Sequence, residues 1–304
     1  MTPLVLALPG NETLSKALAE ELGWPMGVLA ARRFPDGEAY VRVDDESVGR
    51  SVALVCTLDR PDEKVLPLLF AADALRELGA MRVGLVAPYL AYMRQDRRFQ
   101  SGEAVTSRSF ATLLSSRFDW LVTIDPHLHR VHGLGEIYSI PTRVVHAAPA
   151  LGGWVAEHVE RPLLIGPDAE SEQWVADVAR RASAPHLVLE KIRRGDREVE
   201  VSAPTVDGHR GRTPVIVDDI ISSARTMSAA VRHLRAAGLS PPICLGVHAV
   251  FAGDAQHALE DAGAGLIVTT DAIPHATNRI GIAGLLAPAI LSLAVEATEA
   301  RRGV

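Results

Sequence analysis

The sequence predicts an α/β protein made of two similar domains, each a mostly parallel sheet flanked by helices. The first observation is that short β-rich runs alternate with longer segments of helical periodicity, the pattern of helices packed on both faces of a parallel sheet. The second is the length of 304 residues, which favours two domains that each bury a core. The third is a similarity between residues 71–89 and 227–250, which both predict a helix, a glycine stop and a buried strand.

Apolar, β-rich runs predict the strands, and most of these runs end in a polar, glycine or proline cluster. The predicted strands are residues 51–57, 82–87, 120–124, 163–165, 186–189, 214–217, 243–248 and 266–269. Apolar residues three and four positions apart predict core-facing helices. The predicted helices are residues 63–78, 104–116, 171–182, 226–237 and 283–300. Small residues and a proline at 147–153 predict the boundary between a first domain, residues 1–147, and a second, residues 148–304.

Composition and charge exclude several classes of protein. The chain is 48% hydrophobic and 22% charged, with 24 glycines and 19 prolines, which argues against disorder, collagen-like repeats and a disulfide-stapled scaffold. Its formal net charge is −6, and it has no extended basic or acidic run. We therefore expect no nucleic-acid partner and no anionic-lipid partner.

The sequence also predicts a cytoplasmic location. Cys56 and Cys244 lie inside apolar runs that predict buried strands, which argues against a disulfide framework and for a reducing compartment. The N-terminus lacks the cationic start and long apolar stretch of a signal peptide. The apolar segment 280–295 is shorter than the roughly 20 residues that a membrane span needs, and Pro288 interrupts it.

The strongest local pattern is an apolar strand that leads into two carboxylates and then into a hydroxyl-rich helix start. The carboxylates are Asp218 and Asp219, and the hydroxyls belong to Ser222, Ser223 and Thr226. Unpaired amides at a helix N-terminus form a natural seat for a phosphate group. The carboxylates can hold sugar hydroxyls, directly or through Mg²⁺. An aspartate cap on a serine-rich turn is the simpler alternative, but it explains only one carboxylate and one serine.

Three further segments carry charge or metal-binding side chains. Residues 94–98 are rich in arginine, and a solvated charged face is the simpler interpretation of them. Residues 123–141 contain three histidines, although no cysteine or acidic residue at familiar spacing completes a zinc site. Lys191 is one of three lysines in a chain that otherwise uses arginine, and an exposed basic β-hairpin is the alternative there. The chain contains neither a P-loop motif nor Gly-x-Gly-x-x-Gly, which argues against a P-loop kinase and a simple dinucleotide enzyme.

Residues 215–227 resemble the ribose-phosphate binding loop of the type I phosphoribosyltransferase superfamily. Ser223 stands where that loop usually has threonine, Ala224 where glycine is common, and Arg225 at a variable position. The backbone amides of this loop can still bind a phosphate after these changes if Ala224 has a negative φ. We therefore predict a turn that needs no positive φ at this position. The resemblance implies a binding loop for ribose 5-phosphate made of Asp218, Asp219, Ser222, Ser223, Ala224, Arg225 and Thr226.

Two more segments are similar to signatures of the ribose-phosphate pyrophosphokinase family, which plain transferases of the superfamily lack. They are Phe-Pro-Asp-Gly-Glu at 34–38 and Arg-Gln-Asp-Arg at 94–97. An aromatic face suits a purine, carboxylates suit its amino group, and clustered guanidiniums suit phosphate charge. The resemblance implies ATP binding by Phe34, Asp36, Glu38, Arg94, Gln95, Asp96 and Arg97, with the first three reaching a nucleotide on a neighbouring subunit.

The same resemblance implies metal ligands and catalytic residues. His127 stands in an Asp-x-His position that implies a ligand of the Mg²⁺ accompanying ATP, with His129 and His132 as polar neighbours. Asp168 stands in a Pro-Asp pair that implies contact with ribose 5-phosphate or its metal, although Glu170 and Ser171 replace the glycines that usually follow. A Lys-x-Arg pair implies a loop that neutralises charge on the transferring phosphoryl oxygens. That pair is Lys191 and Arg193.

The resemblance therefore implies an enzyme that transfers the β,γ-diphosphoryl group of ATP to the anomeric hydroxyl of ribose 5-phosphate. The products are AMP and 5-phosphoribosyl 1-diphosphate, the cofactor is Mg²⁺, and the expected assembly is a homo-oligomer whose active site is shared between subunits. Both domains are expected to be phosphoribosyltransferase-like. Two alternatives stay open: a non-catalytic regulatory paralogue of such a synthetase, and a phosphoribosyltransferase that consumes the diphosphate product.

Overall fold

The computed structural model describes residues 2–44, 47–128, 130, 132–194, 198–202 and 206–299, which form two compact units. The first unit contains the described residues of 1–146 together with those of 283–304, and the second is Ala147–Ile282. Each unit has its own buried apolar core. Within the described ranges, no helix combines the length and the apolar character that crossing a membrane requires.

The first unit is a parallel sheet with a hairpin beside it. Its elements in chain order are β1 (Leu4–Ala7), α1 (Glu12–Leu22), β2 (Leu29–Arg33), β3 (Ala39–Val43), β4 (Ser51–Val55), α2 (Pro61–Glu77), β5 (Arg82–Val86), α3 (Thr106–Ser115), β6 (Trp120–Ile124) and β7 (Thr142–Val145). The sheet order is β1-β4-β5-β6-β7, with every neighbouring pair parallel. Strands β2 and β3 pair only with each other, in antiparallel register.

The central strands of the first unit are apolar along their whole length because both faces of the sheet are covered. Every residue of β4, β5 and β6 is buried, as expected for a parallel sheet between helices. Gly84 on β5 lies opposite Trp120 on β6. A Cβ atom at Gly84 would lie 1.8 Å from the indole of Trp120, so glycine is required where the largest core side chain crosses the sheet.

The second unit has the same kind of sheet. Its elements are α4 (Ala148–His158), β8 (Pro162–Gly166), α5 (Glu172–Arg181), β9 (His186–Val188), β10 (Glu190–Arg194), β11 (Glu198–Ser202), β12 (Thr213–Ile221), α6 (Arg225–Ala236), β13 (Ile243–Ala249), α7 (Ala255–Asp261), β14 (Leu266–Thr270) and β15 (Asn278–Ile280). The sheet order is β15-β14-β13-β12-β8-β9, again with parallel neighbours, and β10 pairs with β11 as a separate antiparallel hairpin.

The last helix, α8 (Ala283–Glu299), lies in the first unit, whereas the sequence assigned it to the second domain. It packs against α1, β6 and β7. Its buried residues include Leu286, Ile290 and Leu293, which are spaced so that they share one face of the helix. The predicted division at 147/148 therefore differs from the structure in this helix, because a terminal helix that returns to the start of the chain leaves no local mark in the sequence.

Every predicted strand and helix is present in the structure, and one difference affects the candidate site. The sequence ends the strand before the carboxylates at residue 217, whereas β12 continues to Ile221. Its pairing with β8 ends at Ile216, but its pairing with β13 runs on to Ile221. Asp218 and Asp219 therefore lie in an extension of β12 that passes the end of its neighbour β8.

Candidate active site

The sugar-phosphate half of the candidate site lies at the carboxyl edge of the second unit's sheet. Asp218 and Asp219 are half-buried near the end of β12, and Asp168 follows the end of the neighbouring strand β8. The backbone amide of Asp219 donates a hydrogen bond of 3.0 Å to Oδ1 of Asp218. The carboxyl ends of parallel strands are where open α/β sheets bind ligands. The structure thus gathers three predicted carboxylates at one edge.

The three carboxylates repel one another electrically. Withdrawal from water raises the pKa of Asp218 well above its ordinary value, and the negative charge of Asp219, a side-chain hydrogen bond with Asp219 and the charge of Asp168 raise it further. The backbone hydrogen bond from Asp219 acts in the opposite direction and is the weaker effect. A cation or a set of hydroxyl donors placed here would relieve this repulsion, which is the electrostatic character of a ligand-binding edge.

The turn after β8 contains Ser171, one of the two residues that stand where glycines are usual in the resembled motif. The backbone N–H of Ser171 donates to the carbonyl of Asp168 at 3.1 Å, and the Ser171 hydroxyl donates to the same carbonyl at 2.5 Å. A Cβ atom at Gly166 would lie 2.4 Å from that hydroxyl oxygen, so this glycine makes room for the turn. Ser171 closes the turn by hydrogen bonding and thereby fixes the backbone of Asp168.

The strand β12 passes through Ser222 and Ser223 into helix α6, whose first residue is Arg225. Ser223 and Arg225 are exposed, while Ser222 and Thr226 are half-buried. Ala224 occupies the cap position and has no polar side chain to bond the first-turn amides, which normally lack intrahelical partners. The start of this 12-residue helix therefore presents amides and hydroxyls suited to a phosphate group.

Ala224 has φ = +56°, so the prediction that this turn needs no positive φ is wrong. The backbone must reverse sharply between the end of β12 and the start of α6, and the left-handed conformation makes that reversal. An alanine in this conformation is strained relative to glycine. A position with this φ favours glycine, and this chain has alanine there.

Replacing Ala224 with glycine is expected to leave the second unit unchanged or up to about 1.6 kcal/mol more stable. Relief of the left-handed strain is worth about 1–2 kcal/mol, and the extra freedom of glycine in the unfolded chain offsets about 0.4–1 kcal/mol of it. Urea unfolding measures the change. The control is Ala229→Gly, inside α6, which should cost about 1 kcal/mol. A loss of 1 kcal/mol or more in Ala224→Gly would contradict the strain argument.

The first nucleotide segment is the exposed tip of the β2–β3 hairpin. Phe34, Asp36 and Glu38 are all exposed there, and the tip closes through the hydrogen bonds Phe34 N–H to Glu38 C=O, at 2.8 Å, and Glu38 N–H to Asp36 Oδ1, at 3.1 Å. The guanidinium of Arg32 lies 4.6 Å from the centre of the Phe34 ring and 4.4 Å from that of Tyr40. Phe34 is thus held on one side by a cation and remains 39% exposed.

The second nucleotide segment follows β5. Arg94 and Arg97 are exposed, and Gln95 is half-buried. Asp96 differs from the others, because its side chain is only 3% exposed and its Oδ1 lies 2.9 Å from Nη1 of Arg130. The sequence did not single out Arg130, since a partner 34 positions away leaves no local pattern.

The histidine segment follows β6, which lies beside β5 in the sheet. His127 is half-buried. Asp125, the first residue of the Asp-x-His pattern, has φ = +36° and a nearly buried carboxylate 2.9 Å from Nδ1 of His146, which follows β7. His132 is exposed, and its backbone N–H donates to Oε1 of Glu136 at 3.0 Å. His129 lies outside the described residues.

The proposed catalytic pair lies on β10. Lys191 is opposite Val201, and Arg193 is opposite Val199, in the antiparallel pairing with β11. β10 and β11 thus pair like the strands of the β-hairpin that the sequence offered as an alternative interpretation, and the turn at 195–197 lies outside the described residues. The pairing of β10 with β11 agrees with both interpretations, because a segment that neutralises phosphoryl charge can itself be a hairpin.

Comparisons with known proteins place both units in one class. A family model described as the N-terminal domain of ribose phosphate pyrophosphokinase matches residues 4–117, and one described as the phosphoribosyl transferase domain matches residues 134–276. Together with two parallel sheets flanked by helices, these matches define a chain of two phosphoribosyltransferase-like domains, as predicted.

Relatives with this arrangement narrow the class to a family. A ribose-phosphate pyrophosphokinase of Methanopyrus kandleri is 36% identical, covering 95% of this chain and 99% of the relative, and one of Methanobrevibacter smithii is 30% identical, covering 93% and 98%. The chain belongs to the ribose-phosphate pyrophosphokinase family, a family of enzymes. The crystal structure of phosphoribosylpyrophosphate synthetase from Mycobacterium smegmatis has the same fold, with a TM-score of 0.82, 24% identity and coverage of 96% of this chain and 99% of that one.

Proposed function

We propose that this chain transfers the β,γ-diphosphoryl group of ATP to ribose 5-phosphate, which gives AMP and 5-phosphoribosyl 1-diphosphate. The observation that carries the proposal is the arrangement at the carboxyl edge of the second unit's sheet. There β12 brings Asp218 and Asp219 beside Asp168, and it leads into helix α6, whose first turn has no side-chain cap. The nucleotide segments of the first unit distinguish this reaction from base transfer, which needs no ATP.

The second unit would hold the sugar phosphate. Asp218 and Asp219 accept hydrogen bonds from the ribose hydroxyls, because ionised carboxylates are strong acceptors. The 5-phosphate lies at the start of α6, where the first-turn amides and the positive end of the helix dipole favour an anion. Around this helix start, the proposed phosphate-binding residues are Ser222, Ser223, Ala224, Arg225 and Thr226.

The first unit would hold ATP. The exposed ring of Phe34 provides an aromatic face for adenine, and Asp36 and Glu38 lie on the same hairpin tip to accept hydrogen bonds from its amino group. Among the basic residues after β5, the exposed guanidiniums of Arg94 and Arg97 suit the triphosphate. Gln95 and Asp96 complete this proposed nucleotide segment.

The reaction is a displacement at phosphorus. The anomeric hydroxyl releases its proton to water, and its oxygen bonds to the β-phosphorus. The bond from that phosphorus to the bridging oxygen of AMP breaks, so that AMP leaves with the electron pair. Little covalent work falls to the protein, so catalysis comes from alignment and charge neutralisation. Lys191 and Arg193 are the proposed catalytic residues, because cations near the transferring oxygens stabilise the charge that builds there.

The donor chemistry fits Mg²⁺, which prefers carboxylate and phosphate oxygens. Asp168 lies at the edge where burial, together with the charges of Asp219 and Asp168, raises the pKa of Asp218. We propose Asp168 as a ligand of the metal at this edge and His127 as a ligand of the nucleotide's metal. No group of three or more His, Cys, Asp or Glu side chains suited to a metal ion occurs among the described residues. Phosphate oxygens of the substrates would therefore complete the coordination. When bound, Mg²⁺ supplies positive charge against the polyphosphate oxygens.

The proposed setting is a homo-oligomer in the cytoplasm. The exposed Phe34 tip suits a nucleotide held by a neighbouring subunit, as the family resemblance implies. Leu66, Phe70 and Leu113 are 56%, 44% and 39% exposed, and Leu66 and Leu113 line a groove of about 460 Å³ between α2 and α3. Exposed apolar surface of this kind supports association. Cys56 and Cys244 are buried thiols, which supports a reducing compartment.

Incubation of the purified protein with ATP, Mg²⁺ and ribose 5-phosphate is expected to produce AMP, and only when the sugar phosphate is present. Separation of the nucleotides by chromatography measures the product, and chelation of the metal should abolish it. ADP in place of AMP would show an ordinary kinase and overturn the proposal. No product at all would favour the regulatory alternative, and base transfer without ATP would favour a transferase.

A further inference from the structure

The ion pair between Asp96 and Arg130 joins two loops of the first unit. Asp96 belongs to the nucleotide segment that follows β5, and Arg130 to the histidine segment that follows β6. These strands are neighbours in the sheet, so both loops lie at its carboxyl edge. The distance from Arg130 Nη1 to Asp96 Oδ1 is 2.9 Å.

The negative charge of the buried Asp96 carboxylate is compensated by Arg130. The side chain of Asp96 is 3% exposed, whereas that of Arg130 is 46% exposed. Its second oxygen, Oδ2, is buried and has no hydrogen-bond partner among the described residues. A buried carboxylate that loses its cation keeps an uncompensated charge, which is far more costly than the loss of a surface pair. Arg130 therefore stabilises the loop around Asp96 in this conformation.

Arg130 also contacts the aromatic end of the same loop. Its guanidinium lies 5.7 Å from the centre of the Phe99 ring, and the guanidinium of Arg97 lies 5.2 Å from it. Contacts between cations and aromatic rings at such distances are favourable. The Phe99 and Gln100 amides both donate to Glu103 Oε2, at 2.7 and 3.1 Å, which closes the loop beyond the ring. Arg97, proposed to bind the triphosphate, is thus oriented by a ring that Arg130 also contacts.

We propose that Arg130 is a positioning residue for ATP: it holds Asp96 and Phe99, and through them orients the arginines of the nucleotide segment without contacting the nucleotide itself. Asp96 then acts as the buried anchor of that segment and not as a ligand of ATP. This inference rests on the proposed function, because it assigns the orientation of a segment that the proposal gives to ATP.

Steady-state kinetics of four variants test the inference. Arg130→Gln should raise the KM for ATP about tenfold or more and leave the KM for ribose 5-phosphate within twofold. Arg130→Lys, which keeps the charge but lacks the planar group that suits the ring, should fall between wild type and Arg130→Gln. Asp96→Asn should raise the KM for ATP, and Asp96→Asn combined with Arg130→Gln should be no worse than Arg130→Gln alone.

A direct contact between Arg130 and ATP predicts a different pattern. The effects of Asp96→Asn and Arg130→Gln would then multiply in the double variant, and that result would overturn the positioning role. The matched control is Arg180→Gln, which removes an exposed arginine that pairs with Asp177 on α5. Its KM values should both equal those of the wild type.

Hydrogen exchange provides a readout that does not depend on turnover. In the free protein, Arg130→Gln should accelerate exchange of the amides at 94–103, while Arg180→Gln should leave them unchanged. If wild type makes no AMP, the proposed function fails, and the exchange result still decides whether Arg130 orders this loop. Unchanged exchange at 94–103 in Arg130→Gln would overturn the inference even if wild type is active.

Discussion

Replacing Lys191 with alanine is expected to lower kcat about a thousandfold and to leave the affinity for ribose 5-phosphate within a factor of two. Lys191 lies on β10 with Arg193, in the segment that the family resemblance assigns to charge neutralisation. A group that acts mainly on charge developing in the transition state affects kcat more than binding, and removal of one such group typically costs about 10²–10³ in rate. Steady-state kinetics, with calorimetric titration of ribose 5-phosphate, separates the two quantities.

The adjacent arginine offers a matched control. Arg194 lies on the same strand but outside the Lys-x-Arg pair, so Arg194→Ala removes one positive charge without removing a proposed catalytic residue. Its kcat should stay within about threefold of wild type. Equal losses of kcat in Lys191→Ala and Arg194→Ala would show that the effect comes from the change in net charge alone. A loss of affinity for ribose 5-phosphate without a loss of kcat would refute the catalytic role of Lys191.

Replacing Asp218 with asparagine is expected to lower kcat/KM for ribose 5-phosphate about a hundredfold and, at the same time, to stabilise the free protein at pH 8. Hydrogen bonds to a charged group contribute about 1.5–3 kcal/mol, which corresponds to about 10–150-fold. The stabilisation has a separate cause. The pKa of Asp218 is raised by its removal from water and by the charges of Asp219 and Asp168, so the ionised form is disfavoured in the folded protein.

The direction of the pH effect follows from that raised pKa. A carboxyl group whose pKa is higher in the folded than in the unfolded state contributes stability at low pH, and this contribution is lost as the pH rises from the unfolded value of about 3.9 through the folded one. Because asparagine does not ionise, the Asp218→Asn variant does not lose stability in this way as the pH rises. The gap in thermal stability between Asp218→Asn and wild type should therefore widen from pH 4 to pH 8 in metal-free buffer.

An exposed aspartate separates this effect from a general change of charge. Asp261, at the end of α7, is exposed, and Asp261→Asn makes the same change of charge outside the candidate site. Its stability should follow that of wild type across the pH range. A gap for Asp218→Asn that stays constant from pH 4 to pH 8 would contradict the electrostatic account of this edge.

The strand, turn and helix start of residues 215–227 could be predicted from the sequence because their signals are local. Asp218, Asp219 and the hydroxyl residues after them follow one another on a strand, a turn and a helix start, so their order in the chain is also their order in space. The conformation of Ala224 could not be predicted, since the sharp reversal into α6 overrides the residue's own preference for negative φ. A local pattern predicted the strand and the helix, and the tertiary fold decided the backbone conformation of the turn between them.

Features formed between distant segments were not predictable in the same way. The β2–β3 hairpin has half-exposed and exposed strands, which lack the buried apolar run that marks the parallel strands. The Arg130–Asp96 pair joins loops after different strands, and nothing in the sequence around either residue indicates that the other is its partner. The order of the strands in the sheet brings Asp96 and Arg130 together, and local periodicity does not predict that order.

The placement of α8 has a consequence for how the chain is synthesised and folds. The helix packs on α1, which begins at Glu12, although α8 itself begins only at Ala283. The ribosome must therefore complete the entire second unit before the first unit can acquire its last helix. Contacts of such sequence separation are slow to form because loop closure comes first. During translation, the chain of the second unit is therefore complete before that of the first, and an early stop before Ala283 would expose the apolar surface on which α8 rests.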